Sequence, residues 1–269
     1  MKQVLPRALV VGGGELGSAV SHRLARAGIR VVVTDLPHPT CIRRKVCFAM
    51  ALILGEITIE GVEGLKATDE KAAEKPAAKG RIVVMDTDFG QLAAELKPDI
   101  TIDARMLKTG KGISRDLAPL VIGLGPGFVA GDNVHVVIET RRGHDLGRVI
   151  YRGEAQPDTG IPGEIAGFAA ERVIRATRSG RFRSTRQLGA MVRRGDTVGY
   201  IEDTEVKAPL DGLLRGLVND DTVVERGRKM GDVDPRGLDI DPSTISDRGR
   251  AVAGGVLEAV MHWWTVTRL

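Results

Sequence analysis

Val10-Val11-Gly12-Gly13-Gly14-Glu15-Leu16-Gly17 is the stretch on which the fold turns. It continues an apolar run that starts at Ala8 and opens a segment, Glu15 to Ala27, whose apolar residues recur at helical spacing. Ile29 to Val33 then resumes a buried strand. In a strand-helix-strand unit of this kind, Gly12 permits the tight turn and Gly14 lets a pyrophosphate approach the backbone. Gly17 lets the helix lie close to the sheet. The helix N-terminus adds N–H groups and the positive end of a dipole. Asp35 follows Gly17 by 18 residues, where a carboxylate accepts from both ribose hydroxyls of an adenosine and favours NAD over its 2′-phosphorylated form. Arg43 and Arg44 complicate that preference, since they could reach a phosphate or simply cover a helix face. The competing reading keeps the glycines for packing alone.

Outward from this unit, the pattern predicts a helix from about Thr40 to Leu54 and a hairpin of Glu56 to Ile59 with Gly64 to Lys66. Asp69 to Lys79 is polar and reads as peripheral. A strand at Arg81 to Met85, a helix at Phe89 to Leu96 and a strand at Asp99 to Asp103 continue the alternation that winds a parallel sheet. After Arg105 glycine becomes frequent, and Val134 to Glu139 and Arg148 to Tyr151 are predicted as paired strands. From about Ala169 short strands are punctuated by turns at Gly195-Asp196, Asp211-Gly212 and Arg226-Gly227, which reads as an all-β module. Asp247 to Trp264 is predicted as a helix with Asp247 as N-cap, and its glycines, Gly249, Gly254 and Gly255, suit close packing on another element. The expected fold class is therefore α/β: a Rossmann-like parallel sheet, a barrel-sandwich-like β module and a C-terminal helix. The expected division is a nucleotide-binding domain at 1–105, a glycine-rich connection at 106–168, the β module at 169–240 and the terminal helix at 241–269.

Polar and glycine residues concentrate in Asp103-Ala104-Arg105, in Gly123-Leu124-Gly125-Pro126-Gly127 and in Glu139-Thr140-Arg141-Arg142-Gly143-His144-Asp145. Asp103 and Arg105 end a predicted parallel strand, the edge where open α/β sheets build sites. Gly123, Gly125 and Gly127 could form a second anion-binding turn with Arg105, Arg141 or Arg142 supplying charge, or a plain interdomain turn. His144 with Asp145 is the acid/base candidate, because histidine titrates near neutral pH and a neighbouring carboxylate can orient it. His135, Glu139 and His144 lack the compact spacing of a metal site, so no metal is expected. Cys41 and Cys47 flank three consecutive cations that favour a thiolate, which makes a carrier of sulfur or selenium conceivable beside the plainer reading of inert thiols.

Composition narrows the partners. With 42% hydrophobic residues and 28% charge over 269 positions the chain can build a core, and no run reaches the roughly 20 apolar residues of a membrane-spanning helix. The net charge is +4 with both signs interspersed and aromatics are 3%, a poor match to nucleic-acid binding. Two cysteines without companions fit a reducing compartment, and the expected location is the cytoplasm. Self-association into a homo-oligomer is compatible with all of this.

Val192 to Gly199, Lys207 to Gly212 and Val223 to Gly227 together resemble the barrel-sandwich fold of biotinyl and lipoyl carrier domains. Lys207, however, is expected in a strand and not at a hairpin tip, so neither biotin nor lipoate is expected. Over nearly its full length the chain also resembles the selenium-dependent molybdenum hydroxylase accessory proteins. The motifs are Asp103-Ala104-Arg105-Met106, Pro119 to Phe128, Glu139 to Gly147, Pro157 to Gly160 and Gly231 to Gly237. That resemblance implies a factor for maturation of, or cofactor insertion into, a client molybdenum hydroxylase that needs selenium. By analogy with other such factors, the nucleotide-containing ligand would be a molybdopterin dinucleotide, whose pyrophosphate suits the first glycine loop as well as that of NAD. Two alternatives stay open: a free-standing NAD-dependent oxidoreductase, and a non-catalytic chaperone with an empty nucleotide domain.

Overall fold

The computed structural model describes residues 6–67, 80–109 and 112–266. The predicted peripheral segment at 69–79 lies outside them. The chain is mixed α/β, with a parallel-containing sheet and a C-terminal helix, and divides into two units. One comprises Met1–Pro39, Cys47–Asp158 and Ile245–Leu269, and the other Thr40–Val46 and Thr159–Thr244.

The α/β unit begins with β1 (Arg7–Val11), α1 (Glu15–Arg26) and β2 (Arg30–Thr34). A short α2 (Ala51–Leu54) leads into the hairpin β3 (Glu56–Ile59) and β4 (Val62–Lys66). Then follow β5 (Ile82–Met85), α3 (Phe89–Leu96), β6 (Ile100–Asp103) and β7 (Leu120–Leu124). Small strands β8 (Val129–Ala130), β9 (Val136–Ile138), β10 (Val149–Ile150) and β11 (Gly153–Glu154) close the run, and β8 pairs with β11. The main sheet has the order β10-β9-β7-β6-β1-β2-β5-β4-β3. Every neighbour pair from β9 to β4 is parallel, and only the edges β10 and β3 run antiparallel. From β1 the chain passes to β2, runs to the far edge for the β3–β4 hairpin, inserts β5 between β2 and β4, then returns to the other side of β1 and winds through β6 and β7 to β9. That leaves a topological switch point between β1 and β6. Strands β5, β6 and β7 are buried at every position, Thr101 and Asp103 of β6 included, as in a parallel sheet covered on both faces.

The sheet does not end at residue 105. β7 and β9 extend the same parallel ladder, so the expected connecting region belongs to this unit, and the boundary expected there is replaced by one at Asp158. The links from β6 to β7 and from β7 to β9 carry no α-helix among the described residues. Cover for that part of the sheet comes from the far end of the chain, where α4 (Asp247–Val266) packs on α1, β7, β9 and β10. Its N-cap is Ser246, whose hydroxyl accepts from Gly249 N–H at 3.1 Å, and Asp247 is the first helical residue instead. The helix glycines divide by role. A β-carbon on Gly255 would overlap the Gly147 carbonyl oxygen and one on Gly249 would press on Ala19 of α1, whereas Gly254 faces open space. Gly255→Ala is accordingly expected to cost about 1–3 kcal/mol by overpacking. Gly254→Ala should gain about 0.5–1 kcal/mol from helix propensity. Thermal melts of the two variants moving in the same direction would contradict this docking.

The predicted helix over 40–54 is not formed. Its place is taken by one-turn 3-10 helices at Arg44–Val46 and Phe48–Met50 and by α2. The backbone is engaged elsewhere: Ile42 C=O accepts from Leu217 N–H at 2.9 Å in the β unit, and Ala49 N–H donates to Gly13 C=O at 3.1 Å in the α/β unit. Side chains add to this, with Arg44 donating to Leu217 C=O at 2.8 Å and to Asn219 at 2.9 Å. Cys41 and Cys47 are both buried, each in a different unit, which fits the reading of inert thiols better than that of a sulfur or selenium carrier.

The β unit contains β12 (Val173–Arg175), β13 (Gly180–Ser184), β14 (Met191–Val192) and β15 (Thr197–Ile201). It continues with β16 (Thr204–Lys207), β17 (Gly212–Leu217), β18 (Val223–Val224) and β19 (Lys229–Asp234). These form two four-stranded sheets, β12-β19-β17-β14 and β16-β15-β13-β18. One core joins the sheets: Phe182, Val198 and Ile201 from the second meet Leu214, Leu217 and Val233 from the first. Gly195-Asp196 and Asp211-Gly212 fall at strand junctions as predicted. Lys207 ends β16 beside Glu205 at 3.2 Å, in a strand and not at a tip.

Candidate functional site

The candidate site is the carboxyl edge of the parallel sheet, at the switch point. β1 leads directly into the glycine loop, and the three motif glycines have three different surroundings. Gly12 has φ +100°, and a β-carbon there would come within 3.0 Å of Arg105 N and 3.1 Å of the Ala104 carbonyl carbon, so the loops after β1 and β6 touch through it. A β-carbon on Gly17 would overlap the Gly12 carbonyl oxygen. One on Gly14 would meet nothing within 4 Å. Gly14 is also the N-cap of α1, and no side chain caps that helix end. By contrast α3 is capped by Asp88, which accepts from Gly90 and Gln91 N–H, and α4 by Ser246. The loop itself is braced from behind: Gly13 C=O accepts from Ser18 Oγ at 2.8 Å, and Ser18 Oγ accepts from Phe48 N–H at 2.7 Å.

Asp35 follows β2 as expected and reaches the loop. Its Oδ2 accepts from Gly13 N–H at 2.6 Å and its Oδ1 from Leu36 N–H at 2.7 Å. Burial pushes its carboxyl above the usual carboxylate range, and the two N–H donors oppose that shift. A carboxylate oxygen has more than one lone-pair direction, so each oxygen keeps capacity for a ribose hydroxyl.

The second group of expected ligand residues is arranged differently. Arg105 is forked on its own neighbour: Nη2 donates to Asp103 Oδ2 at 2.7 Å and Nε to Oδ1 at 3.1 Å, with the guanidinium 4.7 Å from the Phe89 ring centroid. The Gly125 N–H donates to Ile138 C=O at 2.8 Å, and a β-carbon on Gly125 would overlap Thr140 Oγ1. One on Gly127 would overlap the backbone of Lys108 and Thr109. These two glycines therefore close the loop onto neighbouring chain, and the Gly125 N–H is already used. The anion-binding turn expected of them is not formed in that way.

His144 is exposed, and Asp145 faces Gln156 Nε2 at 2.9 Å and Arg148 at 3.7 Å, so the pair expected as acid and base is not joined. Glu139 is 2% exposed and its carboxylate accepts three backbone N–H groups, from Thr140, Arg141 and Gln156, at 2.7 to 2.8 Å. His135 precedes β9 and accepts from Val121 N–H at 3.0 Å through Nδ1, near the opposite end of the sheet. Burial lowers its pKa. Among the described residues no cluster of three or more His, Cys, Asp or Glu could hold a metal ion.

No family model matches the chain. Uncharacterized protein YqeB from Escherichia coli (strain K12) is 47% identical over 253 residues, which is 94% of this chain and 47% of that protein. The chain thus spans about half the length of the curated relative it matches. Among solved structures, (S)-3-hydroxybutyryl-CoA dehydrogenase PaaH1 from Ralstonia eutropha aligns with 47% of this chain and 43% of its own, at 17% identity and a TM-score of 0.27. A succinylglutamate desuccinylase/aspartoacylase from Rhodobacter sphaeroides aligns with 85% and 84%, at 16% identity and a TM-score of 0.26. Scores at that level support no argument about fold or activity.

One residue at this edge was absent from the sequence reading. Arg248, in the first turn of α4, donates from Nε to the Thr140 carbonyl at 2.8 Å and is half-buried. Burial lowers its pKa, the Glu15 carboxylate at the start of α1 opposes that shift, and Arg142 reinforces it. It lies 231 positions from Gly17, and no local pattern connects the two.

Proposed function

We propose that the α/β unit is a Rossmann-like domain that holds the pyrophosphate of a nucleotide-containing ligand over Gly14 and the N-terminus of α1, with Asp35 on a ribose. The observation that carries this reading is the division of labour in the loop. Gly12 and Gly17 are committed to backbone contacts, while Gly14 alone opens onto space at an uncapped helix end. We further propose that the β unit is a barrel-sandwich-like module, from its two sheets around one core. The whole is read as a cytoplasmic accessory factor for maturation of, or cofactor insertion into, a client selenium-dependent molybdenum hydroxylase. The last step rests on the motif resemblance. NAD or a molybdopterin dinucleotide would supply the pyrophosphate. The free-standing oxidoreductase is less favoured because His144 is exposed while Asp145 faces Gln156 and Arg148.

The test is a thermal-shift titration with NAD, NADP, ATP, CTP and molybdopterin cytosine dinucleotide, in which a ligand at 100 times its Kd stabilises by about 2.7 kcal/mol. Gly14→Val should abolish the shift and cost the free protein no more than about 1 kcal/mol, the difference between Gly and Val as N-cap, because the new side chain enters the open space and not the core. Undiminished binding by that variant would remove the loop from the ligand site. A wild-type chain that responds to no nucleotide would favour the non-catalytic chaperone.

A further inference from the structure

We propose that Arg248 is the second anchor of the bound pyrophosphate, gripping the phosphate beyond the one that rests on the N-terminus of α1; this deepens, and rests on, the function proposed above. Its Nε is fixed on the Thr140 carbonyl at 2.8 Å, just past β9 and thus on the carboxyl edge of the sheet. Its two terminal nitrogens make no hydrogen bond or ion pair among the described residues. The arginines considered from the sequence at this edge are arranged otherwise: Arg105 is forked on Asp103, Arg142 is forked on Asp247, and Arg141 donates to Gln156 at 3.1 Å. Arg248 therefore presents a pre-oriented pair of N–H donors whose spacing suits two oxygens of a phosphate.

The surroundings explain why that donor edge calls for an anion. The first turn of a helix is the wrong end for a cation, because the backbone dipole is positive there. Burial and the neighbouring Arg142 also disfavour the charged guanidinium, while Glu15, Asp158 and Asp247 compensate only in part. A cation retained against its helix dipole, its burial and a like charge is the local inconsistency expected at a binding site. Gly249, next to Arg248, packs against Ala19 one turn into α1, so the first turns of α4 and α1 lie together, and Glu15, whose charge acts on Arg248, follows Gly14 directly. A phosphate entering there would bring the missing negative charge.

Calorimetric titration of the full chain with ADP, AMP, CDP and CMP separates this role from a structural one without assuming the base. Arg248→Ala should weaken diphosphate binding about ten- to a hundredfold and change monophosphate binding by no more than about twofold. Arg248→Lys should recover part of the diphosphate preference, because it restores charge without the fork. An equal loss for both classes, or unchanged diphosphate affinity in Arg248→Ala, would overturn the assignment while leaving the glycine-loop reading intact. Failure of the unsubstituted chain to bind any of the four, or any dinucleotide, would overturn both.

Discussion

Asp232→Ala is expected to destabilise the β unit by about 3–5 kcal/mol, the usual cost of removing one partner from a buried ion cluster. Asp232 is 2% exposed and lies on β19, where its Oδ2 accepts from Arg172 at 2.8 Å and from Arg215. Asp234, fully buried two residues on, accepts from Arg215 at 3.0 Å and from Arg236 at 2.8 Å. Removing Asp232 leaves Arg172, itself 5% exposed, with a buried charge and no carboxylate partner in this cluster. The cluster is not ideally satisfied even intact, since Asp232 Oδ1 and Arg172 Nε have no hydrogen-bond partner among the described residues. Replacing the Arg172, Asp232 and Arg215 side chains together by apolar ones of similar volume is therefore expected to restore much of the lost stability. Urea unfolding followed by far-UV circular dichroism reads both. A loss under about 1 kcal/mol for Asp232→Ala would mean that solvent reaches these groups.

The same cluster sets an acid limit. Burial pushes Asp232 upward, but the charge and hydrogen bonds of Arg215 and the charges of Lys229 and Arg172 outweigh it and leave the carboxyl below its ordinary value. Asp234 is also lowered, because hydrogen bonds from Arg236 and the charge of Arg215 outweigh its burial. A carboxyl depressed in the folded state contributes its full stability above the unfolded value, about 3.9, and loses it as pH falls through the folded one. The β unit should thus hold a constant unfolding midpoint near neutrality and lose stability below about pH 4.

Gly17→Ala is expected to cost about 3 kcal/mol or more and to abolish the nucleotide binding proposed above together with it. A β-carbon at this position overlaps the Gly12 carbonyl oxygen and comes within 3.0 Å of Ala104 Cβ, so α1 must withdraw from the loops that close the switch point. Because the obstruction is backbone, no rotamer change relieves it. Gly14→Ala, in the same motif, is expected to cost no more than about 1 kcal/mol, the difference between Gly and Ala as N-cap, since Gly14 adopts φ −70° and faces open space. Comparing thermal melts of the two variants checks the assignment. Equal melting temperatures would show that the loop can rearrange and that the glycines have no distinct roles.

Much of the α/β unit was legible from residues alone. The turn at Gly12, the helix after Gly14, Asp35 at the end of the second strand, the 89–96 helix and the 56–66 hairpin all follow from local stereochemistry and period. The polar clusters around 105, 125 and 144 drew attention for their composition, but composition does not show which donors and charges are already used. Asp103 engages Arg105, Ile138 engages Gly125 N–H, and Gln156 engages Asp145. Arg248 escaped notice for the reverse reason, as an ordinary arginine in an ordinary helix start.

By itself the sequence determined the elements whose form depends on neighbours a few residues away: buried strands from apolar runs, helices from their period, and a tight strand-to-helix turn from glycine spacing. The tertiary structure alone decided where backbone groups separated by long stretches of chain are satisfied. It drew 40–46 into the β unit through Ile42 and Leu217, against a helical pattern, and continued the parallel sheet past 105 to β9. It also brought α4 across the sheet where no crossover helix is described. Hydrogen-bond saturation and close packing are conditions on distance in space, and a pattern along the chain carries that information only when the partners are neighbours in sequence.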